Sequence, residues 1–133
     1  MDEVSVSPRG VGQISIETRD VERAVEFYRD TVGLTHLYTF PHPTGKLAFF
    51  ECGGVRLFLT SHDDREIEKS SVIYFTVGDI RATYAAFSAR GVAFEGAPHL
   101  IHRHESGIEE WMAFFRDPDD NLLALMSEVQ PAG

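Results

Sequence analysis

Hydrophobic and polar positions follow one pattern that occurs twice along the chain. A short alternating segment, residues 14–16 or 73–75, leads to an Asp, and apolar residues then recur at i, i+4 and i+7. Alternation at period two predicts a strand, Asp is typical of a helix N-cap, and the longer period predicts a helix with one buried stripe. Neither copy buries a core alone, so the repeat predicts two units that pack together.

Turn residues between the apolar segments divide each copy into a strand, a helix and three strands. In the first copy the predicted elements are 11–18, 20–32, 34–40, 46–52 and 55–61. In the second they are 72–77, 79–90, 92–95, 111–116 and 122–128, with 99–105 ambiguous between strand and loop. Gly33 and Gly91 end the helices, and Gly53-Gly54 forms a tight hairpin turn.

These elements predict an α+β fold of two tandem βαβββ modules within one domain. The modules span about 10–61 and 71–129, and a charged, polar linker covers 62–70. Residues 1–9 and 130–133 are expected to be loose ends. A chain of 133 residues is long enough to bury a core as one domain.

Charge and cysteine content narrow the expected partners and location. With 12 Lys plus Arg against 21 Asp plus Glu, the formal charge is −9, which repels phosphate backbones and anionic lipids. We therefore expect neither nucleic acid nor a membrane as a partner. Cys52 is the only cysteine, which favours a reducing compartment. The first residues do not resemble a signal peptide, so a cytoplasmic protein is expected.

Motifs at both ends of the duplicated region point to one family. They are GQISI at 12–16, AVEFY at 24–28 and FRDPDDNLL at 115–123. From about Val11 to Glu128 the chain resembles the vicinal oxygen chelate superfamily, which includes glyoxalase I, bleomycin-resistance proteins and extradiol dioxygenases. The resemblance implies mixed sheets that curve around a cleft, and a homodimer whose cavity lies within or between chains.

The resemblance also implies where a metal would be held. Metal-dependent members use four ligands, and the corresponding positions here are Gln13, Phe58, Val72 and Ala124. A divalent cation needs several N, O or S donors at one point, and only Gln13 offers one. We therefore expect no metal at these positions and no cofactor.

Period-two alternation indicates which side chains would line a cavity. If Ile14, Leu57 and Leu123 face the helices, the opposite face is apolar with a few polar groups, as a small-molecule site requires. The predicted pocket residues are Gln13, Ser15, Glu17, Arg56, Phe58, Thr60, Val72, Tyr74, Ala124 and Met126, with Trp111 as an added aromatic wall. The alternative is a face that packs against the other module or another subunit and holds nothing.

Two charged residues of this face have alternative roles. Because the first and fourth strands are neighbours in the resemblance, Glu17 and Arg56 are expected to lie side by side. Glu17 would then be a general base tuned by Arg56, or Arg56 would hold a ligand carboxylate. The simpler alternative is a structural ion pair.

The segment 98–105 offers another candidate for chemistry. If it is a strand, His102 and His104 share a face, which suits two ligands of one metal. The alternative is a loop with solvated histidines. Two classes of function follow. The first is a metal-independent protein that binds a small apolar or aromatic molecule. The second is a lyase, isomerase or dioxygenase that uses a metal at His102 and His104, or Glu17 as a base.

Overall fold

The computed structural model describes residues 8–131. Of the predicted loose ends, 1–9 and 130–133, residues 1–7 and 132–133 lie outside the described residues. The elements in chain order are β1 Gln13–Glu17, α1 Val21–Glu26, a π-helical continuation Phe27–Val32, β2 Thr35–His42, β3 Gly45–Cys52, β4 Val55–Thr60, β5 Ile73–Thr76, α2 Ile80–Ala89, β6 His99–Arg103, β7 Glu109–Arg116 and β8 Leu122–Val129.

The eight strands form two sheets of four, one from each copy of the repeat. The strand order is β1-β4-β3-β2 in the first sheet and β5-β8-β7-β6 in the second. In both sheets the first strand pairs in parallel with the last, and the other pairs are antiparallel. The predicted α+β fold of tandem βαβββ modules is confirmed, as two separate mixed sheets that are not closed into a barrel.

The predicted helix caps account for where both helices begin. The Asp20 carboxylate accepts a hydrogen bond from the Arg23 N–H at 3.2 Å, and the Asp79 carboxylate accepts one from the Ala82 N–H at 3.0 Å. Each bond satisfies a backbone donor that the first helical turn leaves free. Gly33, at φ 91°, ends the π-helical segment. No helix within residues 8–131 is long and apolar enough to cross a membrane.

Two strand predictions were wrong. Residues 92–95 do not form a strand, because only Phe94 makes a bridge, to Phe115, and its ring packs on Tyr84 with centroids 4.6 Å apart. The ambiguous segment supplies the missing strand instead, as β6. In the first module, β2 continues through Pro41 to His42 rather than ending before it. Pro41 is tolerated because β2 is an edge strand.

A single hydrophobic core joins the two modules. It contains side chains from the helix-facing sides of both sheets, including the fully buried Phe50 and Phe115. Phe27 of the π-helical segment and Phe87 of α2 both pack on Phe115, with ring centroids 6.4 and 5.8 Å apart. Both helices therefore contact the second sheet, which explains why neither repeat buries its apolar face alone.

The turn between β7 and β8 provides a polar connection between the modules. The Asp117 carboxylate accepts a hydrogen bond from the buried Tyr28 hydroxyl at 2.7 Å. The Asp119 carboxylate, fully buried, accepts from the Arg19 N–H at 2.9 Å and from the Arg23 guanidinium at 3.0 Å. Asp120 adopts φ 66°, a left-handed conformation that Asp tolerates better than most other non-glycine residues.

Candidate functional site

The predicted pocket residues lie in two groups, one on each sheet. Strand register places Gln13, Ser15 and Glu17 opposite Arg56, Phe58 and Thr60. In the second sheet it places Tyr74 opposite Ala124, and Thr76 opposite Met126. Val72 immediately precedes β5. Because the alternate residues of these strands form the core, both groups lie on the sides that face away from the helices. These sides are called the outer faces below.

Trp111 does not belong to either outer face. Trp111 is the register partner of Ser127. Because side chains alternate along β7, Trp111 lies on the same, helix-facing side of the sheet as the buried Ala113. The Arg81 guanidinium carbon lies 5.1 Å from its ring centre, and its indole N–H donates to Glu109 at 3.0 Å. The prediction of Trp111 as a pocket wall was therefore wrong. The apolar residues on both sides of β7 had left its alternation ambiguous.

The four positions that correspond to metal ligands do not fit a metal ion. Phe58, Val72 and Ala124 carry hydrocarbon side chains, and Ala124 is completely buried. Gln13 is exposed at the start of β1 and is the only one with a donor atom. Within residues 8–131, no group of three or more His, Cys, Asp or Glu side chains is arranged to hold a metal ion.

Glu17 is occupied by cationic and backbone donors from the linker. Its carboxylate accepts a hydrogen bond from Arg65 at 3.1 Å and a further one from the Glu68 N–H, and His62 Nε2 lies 3.3 Å away. The Arg65 hydrogen bond is the main cause that lowers the pKa of Glu17 below its usual value. A carboxylate held ionised in this way is a weak base, so the structure does not support Glu17 as a general base.

Glu17 and Arg56 do not lie side by side. Arg56 is the register partner of Gln13, whereas Glu17 is that of Thr60. The predicted ion pair between them was wrong, because parallel pairing of β1 with β4 sets the two charges at opposite ends of these strands. Arg56 instead lies among aromatic residues.

An aromatic row dominates the outer face of the first sheet. It consists of Tyr38 and Phe40 from β2, Phe49 from β3 and Phe58 from β4. Phe49 is central, with ring centroids 5.0 Å from Tyr38, 5.7 Å from Phe40 and 5.3 Å from Phe58. Tyr38 and Phe40 are 44% and 41% exposed. We call these four residues the aromatic row.

Sequence reasoning found only Phe58 of this row. The signal for the others was present, because Tyr38 and Phe40 alternate along β2. What the sequence did not provide was the antiparallel register that sets Tyr38 beside Phe49 and Phe49 beside Phe58. A bulge between His36 and Tyr38 changes which β2 residues face outward.

The outer face of the second sheet has a smaller apolar group. Tyr74, 45% exposed, meets Phe114 edge to face with ring centroids 6.0 Å apart. His99 lies 6.3 Å from Phe114, and Met112 pairs with Met126 in register. Of the residues predicted here, Tyr74, Ala124 and Met126 are brought together by the pairing of β5 with β8.

The histidine pair lies at the edge of the second sheet. The rings of His102 and His104 have centroids 4.5 Å apart, and His104 Nε2 lies 3.0 Å from the Glu110 carboxylate. His104 Nε2 and the Glu110 carboxylate therefore contact each other instead of facing a common point at which a metal ion could bind. The side chains are exposed, as expected for solvated histidines.

A further cavity lies on the helix side between the modules. Its volume is about 550 Å³. Among the residues that line it are Ile14, Leu57, Phe75 and Leu125, and no lining side chain is charged. Of the predicted pocket residues, only Tyr74 borders it. Burial raises the pKa of the Cys52 thiol at this cavity, with a smaller contribution from Glu51.

Paired βαβββ modules, with one core between them and an open outer face on each sheet, place this chain in a recognised class of fold. The chain belongs to the Glyoxalase/Bleomycin resistance protein/Dioxygenase superfamily, whose sequence profile matches residues 10–125. The uncharacterized protein YraH of Bacillus subtilis (strain 168) is 28% identical over 129 residues, which cover 85% of this chain and 94% of YraH.

Solved structures of proteins with different functions share this fold. TnmS3, an antibiotic binding protein from Streptomyces sp. CB03234, is 25% identical with a TM-score of 0.72, and the match covers 94% of this chain and 100% of TnmS3. A lactoylglutathione lyase from Agrobacterium tumefaciens is 23% identical with a TM-score of 0.67, covering 90% of this chain and 94% of that protein.

Proposed function

We propose that this protein binds a small, largely apolar or aromatic organic molecule on the outer face of the first sheet, without the metal ion used by enzymes of the superfamily. The aromatic row is the observation that supports this most directly. Its four rings are connected through Phe49, and two of them are more than 40% exposed, so they form a partly exposed apolar surface. TnmS3, an antibiotic binding protein, gives the proposal a precedent on the same fold.

The energy available from this surface is sufficient for a useful affinity. Each favourable ring–ring contact contributes about 0.5–1.5 kcal/mol beyond the area that it buries. Burial of apolar ligand surface adds ~25 cal/mol per Å². After the loss of translational and rotational freedom, a ligand that covers two or three rings is expected to bind in the micromolar range.

We further propose that a second copy of the chain supplies the opposite wall of this site. In one chain the aromatic row is open, and Tyr74 is similarly exposed on the second sheet. A homodimer that brings an outer face of one chain against the partner would cover both surfaces and enclose a cavity. A reducing cytoplasmic environment would suit the half-exposed thiol of Cys52.

Enzymatic activity is the alternative function. Such an enzyme would need a metal held away from the family's positions, at His102 and His104, whose ring centroids lie 4.5 Å apart. A lactoylglutathione lyase shares the fold. Elemental analysis of protein purified without chelator tests it. One ion per chain, lost in the double variant His102→Ala plus His104→Ala, would establish the metal site and count against a metal-independent binder.

A binding screen tests the main proposal. Neutral aromatic compounds should raise the melting temperature of the protein, because a ligand that binds only the native state stabilises it. Calorimetric affinity for the best compound should fall about tenfold or more in Tyr38→Ala and Phe58→Ala, which remove one ring of the row.

The matched control is Val55→Ala, which alters the cavity between the modules instead. Affinity should be unchanged in that variant, and labelling of Cys52 by a thiol reagent should be indifferent to the ligand. Loss of affinity in Val55→Ala together with protection of Cys52 would place the ligand in that cavity and contradict the proposed site. Absence of binding across the screen would contradict the proposed function.

A further inference from the structure

Arg56 is a positively charged group set directly on the aromatic row. Its guanidinium carbon lies 5.7 Å from the centre of the Phe49 ring, and Nη1 lies 3.5 Å from the Tyr38 hydroxyl. The first contact is within the range of a cation–π interaction, and the second is at the limit of a hydrogen bond. The side chain is exposed, so most of its five N–H donors face solvent.

In the part of the chain that the structure describes, no carboxylate forms an ion pair with Arg56. Arg65 and Arg103, by contrast, each pair with a glutamate. The nearest acid in register is Glu51, but its carboxylate accepts a hydrogen bond from the Gly54 N–H at 2.6 Å. The turn between β3 and β4 therefore draws the Glu51 carboxylate away from Arg56 and leaves the guanidinium available.

A stacking surface beside an available guanidinium has a defined chemical complement. An aromatic ring placed on Phe49 or Phe58 would carry a substituent at the ring edge toward Arg56. A guanidinium recognises a carboxylate through two parallel N–H···O bonds, whereas a neutral substituent receives only one weaker bond. The adjacent Gln13 amide, the other register partner of Arg56, offers a further donor.

We propose that the ligand of this site is an aromatic carboxylate, with its ring on the aromatic row and its carboxylate bound by Arg56. This inference rests on the proposed function and specifies its ligand. It also runs against the overall charge of −9, which disfavours anions in general. Selection of an anion must therefore come from the local arrangement at Arg56, which makes the inference sensitive to this one side chain.

The experiment compares 2-naphthoate with its neutral methyl ester by isothermal titration calorimetry at pH 7. The acid should bind roughly tenfold or more tightly than the ester, because a charge-assisted pair replaces a neutral contact. Added salt should weaken binding of the acid and leave the ester unaffected. In Arg56→Gln the acid should lose this advantage while the ester keeps its affinity, and Arg56→Lys should retain part of it.

Arg81→Gln is the matched control, because Arg81 also lies over an aromatic ring, Trp111, but on the helix side. It should change neither affinity. Circular dichroism and melting temperatures establish that each variant is folded. Equal affinities for acid and ester, with no effect of Arg56→Gln, would overturn the inference and leave the proposed function intact. An acid preference lost equally in Arg81→Gln would overturn it as well. Failure of both compounds and of every neutral aromatic compound would overturn both proposals.

Discussion

Charged side chains on the outer face of the first sheet differ in whether other residues of the protein already provide them with an oppositely charged or hydrogen-bonding partner. Glu17 has donors from Arg65 and Glu68, so its charge is used to hold the linker against β1. Arg56 lies on the same face, where its guanidinium lies over the Phe49 ring and 3.5 Å from the Tyr38 hydroxyl. A satisfied charge contributes to stability, whereas an unsatisfied one is available for a ligand. The contrast separates the structural role of Glu17 from the proposed binding role of Arg56 on one surface.

Substitution Glu17→Gln is expected to lower the free energy of unfolding by about 1 kcal/mol at pH 7. Because the folded pKa of Glu17 is lowered, its contribution is fully present above the unfolded pKa and is lost as the pH falls through the folded value. Urea unfolding of the wild type and variant should therefore differ at neutral pH and converge in acid. Glu128→Gln, at the exposed end of β8, serves as the control and should have no measurable effect. A difference independent of pH would contradict this role.

At the level of secondary-structure elements, the start of β3 and the end of β4 lie unusually close together in the first sheet. Gly45 begins β3, next to the end of β4, where the Lys46 N–H donates to the Ser61 hydroxyl at 3.0 Å. A Cβ atom on Gly45 would lie 2.6 Å from Ser61 Oγ and 2.8 Å from its carbonyl carbon. Both distances are too short for non-bonded atoms, so this position requires glycine for space rather than for backbone conformation.

Gly45→Ala is accordingly expected to lower the free energy of unfolding by about 1–3 kcal/mol, since the strands must separate to admit the methyl group. Equilibrium unfolding in urea measures the change. Gly12→Ala provides the comparison, because a Cβ there would have no atom within 4 Å, and its effect should stay below about 0.5 kcal/mol. Equal effects at the two glycines would show that close packing at Gly45 is not the cause.

The molecule as a whole depends on contacts between its two modules. The core is continuous through Phe27, Phe87 and Phe115, and the buried Asp119 of the second module binds Arg19 and Arg23 of the first. These contacts point the helix-covered sides of the sheets at a common core. The outer faces lie outside this core, and they are the surfaces on which we propose that a ligand binds.

Asp119→Ala should destabilise both modules together, by about 2–3 kcal/mol, because it removes several charge-assisted hydrogen bonds to a buried carboxylate. The single Trp111 reports on the second module through its fluorescence, and the single Cys52 reports on the first through its labelling rate. Both probes should give one coincident transition in the wild type, shifted equally in the variant. Asp64→Ala, in the linker, should leave both midpoints unchanged. Separate transitions in the wild type would refute a shared core.

The sequence determined the modules because their signals are local. The Asp caps at positions 20 and 79, the glycine turn at 53–54 and the alternation within each strand require only neighbouring residues. The same local logic placed Gln13, Ser15, Arg56 and Phe58 on one face. The resemblance to the family supplied the metal positions, and of these only Gln13 carries a donor atom.

Tertiary structure decided which side chains lie next to one another on those faces. Strand register and the bulge in β2 bring Tyr38 and Phe49 beside Phe58, and burial of Ala113 and Phe115 turns Trp111 toward the helices. The partner of Glu17 proved to be Arg65 rather than Arg56. These outcomes depend on contacts between residues far apart in the chain, and packing into one common core determines which of those contacts form. The local periodicity of the sequence does not contain that information.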